Sequence, residues 1–206
     1  MVQVDPRRVL VRGVVIIAIT LVLGLVSRFL LPFGTFAYHL LDMDGERSVP
    51  AVVSGGLLLA GGLVVFVVAP PALLYRLLGI GLVFSAFDEV LAIHEHLQRF
   101  TGVNWIKLYL PVFAACIVVG VLLLRRLRTE APRAIPLFVA GSACWVLAQG
   151  FEWLEWRGTD DAQPGYLPMM FAEETLEDLG SLLILVVVLV VGRTVATPRV
   201  EGGAGR

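Results

Sequence analysis

The sequence predicts an all-α fold, a polytopic membrane helix bundle of six transmembrane helices with both termini cytoplasmic. Of its 206 residues, 58% are hydrophobic and only 16% are charged, against roughly 25% charged in an ordinary soluble domain. Mean hydropathy is +0.86. Six stretches stay apolar for about 20 residues, the length a helix rising ~1.5 Å per residue needs to cross ~30 Å of hydrocarbon. A water-soluble enzyme of this size is excluded. The net charge of -1 gives no reason to expect a nucleic-acid partner. Cys116 and Cys144 both lie in apolar runs, so they form neither a disulfide framework nor a CxxC motif.

The six spans are expected at Gly13 to Phe33, Ser48 to Ala69, Ala72 to Leu97, Asn104 to Leu124, Ala134 to Trp156 and Met170 to Gly192. Pro70-Pro71, Arg125-Arg126 and the stretch Gly158 to Pro168 separate them, because hydrocarbon does not tolerate such breaks and charges. The first span follows Arg7, Arg8 and Arg12, but is too long for a signal-peptide core and should stay in the mature protein. Ser48 followed by Pro50 reads as the capped start of the second helix. Gly55, Gly56, Gly61 and Gly62 read as points of close helix approach. No loop is long enough for a second domain, so residues 1–193 form one six-helix domain, and 194–206 a short flexible cytoplasmic tail.

An excess of Lys and Arg in short loops marks the cytoplasmic side. Arg7, Arg8, Arg12, Arg76, Arg125, Arg126, Arg128, Arg133, Arg193, Arg199 and Arg206 fall on the side of the termini. Only Arg28, Arg47, Arg99, Lys107 and Arg157 fall on the other. The expected location is the cytoplasmic (inner) membrane. Acidic residues divide the opposite way: apart from Asp5, Glu130 and Glu201, all lie on or near the outer side. The positive-inside rule does not explain that, because Asp and Glu contribute little to it.

Three acidic clusters carry the excess. The third span ends with Ser85, Asp88, Glu89, His94, Glu95 and His96; at 100° per residue, Asp88 and Glu95 share a face. The fifth ends with Trp145, Gln149, Glu152 and Trp156 on one stripe. The sixth opens with Glu173, Glu174, Glu177 and Asp178, giving one anionic face. Odd spans end where even spans begin, so the clusters lie at one membrane level and can converge. Counting ~1.5 Å per residue puts Asp88 and Asp178 roughly 20 to 25 Å across the ~30 Å core. An Asp at mid-membrane costs roughly 2.5 to 3.5 kcal/mol, and neighbouring carboxylates also repel. A bound cation, protonation or an Arg partner must offset this, and Arg28 is the one basic side chain at comparable depth.

Carboxylates and imidazoles projected from facing helices are the ligand set that holds divalent metals inside bundles. The candidate metal ligands or their immediate supports are Asp88, Glu89, His94, Glu95, Glu152, Glu174 and Glu177, with a divalent metal ion as cofactor. The Glu-x-x-His pattern of di-iron bundles and the His-Glu-x-x-His zinc signature are both absent. The stretch Asp42 to Glu46 lacks the spacing of a calcium loop. Trp105, Trp153, Trp156, Tyr38 and Tyr166 fit an outer aromatic belt.

The ordered set Asp88-Glu89, His94-Glu95 and Glu173-Glu174 with Glu177 resembles an uncharacterised family of small multipass bacterial membrane proteins, over roughly residues 39 to 181. The resemblance implies that these residues act as a set, and implies no particular reaction.

Three functions fit this pattern. The first is a metal-dependent membrane enzyme whose site faces the extracytoplasmic side and acts on a lipid or lipophilic substrate, with membrane lipids as partners. The second is a cation or proton transporter, which acid and His clusters in spans also mark. It is opposed by cytoplasmic halves almost free of ionisable groups. The third is a non-catalytic accessory or sensor protein.

Overall fold

The structure, a computed structural model, describes residues 4–45, 47–69, 72–156 and 165–196. Glu46, Pro70-Pro71, Asp160, Asp161 and most of the expected tail lie outside them. Every regular element among the described residues is helical: α1 (Pro6–Leu30), α2 (Phe36–Leu41), α3 (Val49–Val68), α4 (Leu73–Leu91), α5 (Ile93–Thr101), α6 (Trp105–Glu130), α7 (Ile135–Trp156) and α8 (Tyr166–Ala196). A 3-10 turn at Pro132–Ala134 joins α6 to α7. Five helices are long and apolar enough to cross a membrane, and α4 with α5 forms a bent pair, a broken span or a re-entrant loop, that brings the number to six if it counts as one span.

The third expected span is therefore not one straight helix. It breaks at Ala92, whose φ of 51° and ψ of 46° are left-handed, and α5 turns 69° away from α4. The face shared by Asp88 and Glu95 on a continuous helix does not exist. The loop between the first two spans also holds α2, which hydropathy did not reveal. Thr35 caps it by accepting the Tyr38 amide at 3.2 Å. Ser48 caps α3 as expected, accepting the Ala51 amide at 3.3 Å.

The central helix is α8. Of its apolar window 61% is buried, against 11% for α6 at the periphery. It packs against α1, α3 and α7. Tight helix pairs form where side chains vanish. A Cβ on Gly62 would sit 3.0 Å from the Gly79 carbonyl oxygen and 2.7 Å from Val83 Cγ2, so α3 and α4 meet nearly backbone to backbone. One heptad earlier, Gly55 meets the Ala86 carbonyl in the same way. Gly141 of α7 and Gly180 of α8 face each other, and a Cβ on either would sit within 3.2 Å of the other's carbonyl oxygen. Gly56 faces open space, so it is not one of these points.

Two apolar clusters fill the end of the bundle away from the acids. Val65, Leu123, Leu127, Phe138, Val187 and Val191 form the larger one, and Ile17, Leu182 and Val186 the smaller. The α3–α4 seam gives a direct test. Gly62→Ala should lose ~1 to 3 kcal/mol through overpacking against backbone, whereas Gly56→Ala should be neutral or gain up to ~1 kcal/mol in helix propensity. Unfolding in detergent micelles by denaturant titration measures both. Equal stabilities would refute the close approach.

Candidate metal centre

The acidic end of the bundle is built around the α4–α5 break. Left-handed backbone at a non-glycine residue costs ~1 to 2 kcal/mol, and Asp88 supplies the compensation. Its carboxylate accepts the His94 amide at 2.9 Å, capping the start of α5, and lies 3.3 Å from His94 Nδ1. The Tyr109 hydroxyl of α6 donates to the same carboxylate at 2.7 Å. Asp88 thereby ties α4, α5 and α6 together. The His94 ring packs on Trp105 with centroids 4.9 Å apart, and Trp105 stands edge-on to Tyr109. The Trp105 indole N–H donates to Glu152 of α7 at 3.2 Å, a side-chain link between α6 and α7.

Glu89 is the next residue along α4, about 100° further round the helix. It points away from that network and meets Glu174 and Glu177 of α8. One ligand oxygen from each of the three carboxylates lies within 4.8 Å of the others. This happens although no Cα of α4 comes within 8 Å of one in α8, so the side chains reach across the gap between the helices. Glu177 is 9% exposed and accepts from the Gln149 side chain of α7 at 3.1 Å. Glu152 and Asp178 also act electrostatically on Glu177. Above the cluster the Tyr166 hydroxyl donates to Asp44 at 2.5 Å, and the Asp44 charge bears on Glu174.

Among the described residues no Lys or Arg pairs with Glu89, Glu174 or Glu177. Arg28, the basic candidate at that depth, donates to the Tyr38 hydroxyl at 3.1 Å. Three mutually repelling carboxylates in a poorly solvated interior are held together only with positive charge between them, as a metal ion or as protons. Oxygens from two facing helices at this separation suit an ion of carboxylate preference.

The seven candidate residues thus divide into groups. Glu89, Glu174 and Glu177 converge. Asp88 and His94 form a structural pair beside them, and Glu152 links α6 and α7 while adding charge to the pocket. Glu95 lies on the outer face of α5, 3.2 Å from Arg99 in an exposed pair. Candidates chosen from sequence omitted Asp178, Ser54, Gln149, Trp105 and Tyr109 from the ligands and supports. Asp178 was legible from its place four residues after Glu174, on the same helical face. Tyr109 carried no signal, since an apolar span with one tyrosine is ordinary.

No curated protein and no solved structure matches the chain. A family model described as Domain of unknown function (DUF8692) matches residues 13–191, which take in all the converging acids, and the chain belongs to that family.

Proposed function

We propose that this integral membrane protein holds a divalent metal ion between Glu89, Glu174 and Glu177 near the outer membrane face, and is a metal-dependent enzyme acting on a lipid or lipophilic substrate. The observation that carries the reading is the approach of three carboxylate oxygens to within 4.8 Å without a basic partner. A metal held there supplies Lewis acidity, polarising a substrate oxygen or lowering the pKa of a water. The chain's own residues supply the rest. Gln149 fixes the orientation of Glu177. Asp88 fixes the ring of His94, placing an imidazole beside the cluster for proton movement. Trp105, Tyr109 and Phe113 form a continuous aromatic wall on α6, suited to an apolar chain.

Transport through the protein fits less well. Below the acids the interior is closed by Leu182, Val186, Val187 and Val191 of α8 against α1, α3 and α6, so a charge leaving the cluster meets mainly apolar side chains, with Ser181 and Thr20 as buried hydroxyls among them. The basic residues gathered at the opposite end support an outward-facing site.

Metal analysis of the purified full-length protein by mass spectrometry should find close to one equivalent of divalent ion, falling at least tenfold in Glu89→Gln with Glu177→Gln. Metal at buffer background in a monodisperse wild-type protein would remove the reading. Orientation is checked separately in a variant lacking Cys116 and Cys144. A cysteine replacing Phe100, which is 90% exposed, should react with an impermeant maleimide in intact cells, and one replacing Arg128 only after permeabilisation. The reverse pattern would place the acids inside.

A further inference from the structure

Resting on the metal reading above, we propose that the centre is an all-oxygen site for a hard divalent cation of the Mn2+ type, in which Asp178 supplies a fourth carboxylate and Ser54 lines the ion's cavity. Asp178 is 3% exposed, and its Oδ1 has no hydrogen-bond partner. Ser54 of α3 is 2% exposed, and its hydroxyl stands beside the Glu89 carboxylate. Buried polar atoms in native proteins are almost always satisfied, and an unsatisfied carboxylate oxygen is among the costliest exceptions. The Asp178 charge acts on all three acids, first among the charges at Glu89 and last at Glu174 and Glu177, so the orphaned group borders the trio just outside the 4.8 Å grouping of its ligand oxygens. Glu174, Glu177 and Asp178 share one face of α8, with Asp178 one residue deeper.

Nitrogen and sulfur donors stand outside the trio. His94 gives its Nδ1 to Asp88, and neither of its ring nitrogens joins the group of ligand atoms that Glu89, Glu174 and Glu177 form. The His96 Nδ1 lies 2.6 Å from the Ala92 carbonyl oxygen. Among the described residues neither a His nor a Cys joins the trio. Carboxylate and hydroxyl oxygens suit Mg2+, Ca2+ and Mn2+ rather than metals selected by imidazole or thiolate. Mg2+ keeps several waters and binds through one or two carboxylates, whereas four carboxylates gathered at one partly buried site suit a cation that exchanges its hydration shell more readily.

The test uses the full-length protein in detergent, stripped with chelator and reloaded with Mn2+. Pulsed electron paramagnetic resonance should show bound Mn2+ without the coupling of a directly ligated 14N. D178N should weaken Mn2+ binding at least tenfold, while H94Q should change it less than twofold. Directly bound 14N that disappears in H94Q, or a D178N affinity within twofold of wild type, would overturn the inference. The wild-type spectrum decides alone if D178N fails to fold. A protein that binds Zn2+ but excludes Mn2+ overturns this inference and leaves the metal reading standing; one that binds neither overturns both.

Discussion

Repulsion among the carboxylates of Glu89, Glu174 and Glu177 is the constraint around which the acidic end is arranged. A charge costs roughly 2.5 to 3.5 kcal/mol at mid-membrane and less toward the interface, and bringing three within 4.8 Å adds mutual repulsion. Such an arrangement persists only if the surrounding helices leave no alternative direction for the side chains. On α8 the direction is set by Gly180, which presses that helix against Gly141 of α7 and fixes its rotation. On α4 it is set by the Gly55 and Gly62 seam with α3. The glycines that look like simple packing points thus determine where the acids point.

The break at Ala92 separates two jobs that adjacent residues could not otherwise share. In a membrane every freed backbone group needs a partner, and the end of α4 leaves several unmatched. Asp88 takes that load, accepting the His94 amide and the Tyr109 hydroxyl. Its neighbour Glu89 is left to face α8. A straight helix would have no freed amide at His94 to hold Asp88, and would carry His94 and Glu95 onward along the α4 axis. The 69° turn instead sets Glu95 and Arg99 on the exposed side of α5, where an ion pair contributes little.

Hydropathy made the bundle legible, and the i, i+3, i+4 spacing of Glu174, Glu177 and Asp178 made one anionic face legible. Convergence with Glu89 followed from alternating spans, since the end of one and the start of another share a membrane level. The α4–α5 break was not legible, because Ala92 carries none of the turn chemistry of Gly, Asn or Pro. That single omission misplaced Glu95 and concealed the capping role of Asp88. The Trp105 to Glu152 bond was hidden for a different reason. It joins residues 47 positions apart through side chains alone, and no periodicity encodes such a pairing.

The two ends of the bundle are closed in different ways, and the difference bears on what the acids can do. At the basic end Tyr75 donates to Glu130 at 2.7 Å, Arg126 pairs with the same carboxylate at 2.6 Å, and the Arg126 guanidinium lies 5.0 Å over the Tyr75 ring. That acid has a donor and a cation, so its charge is matched within the protein. At the other end Glu89, Glu174 and Glu177 have no basic partner among the described residues, and Asp178 Oδ1 has no partner at all. A chain that balances the half-buried Glu130 and leaves four acids unbalanced at the other end, with an apolar plug between, has a charge distribution that fits the proposed one-sided pocket. A conduit would instead need polar groups along its length. This asymmetry favours chemistry at one membrane face over passage across the bilayer.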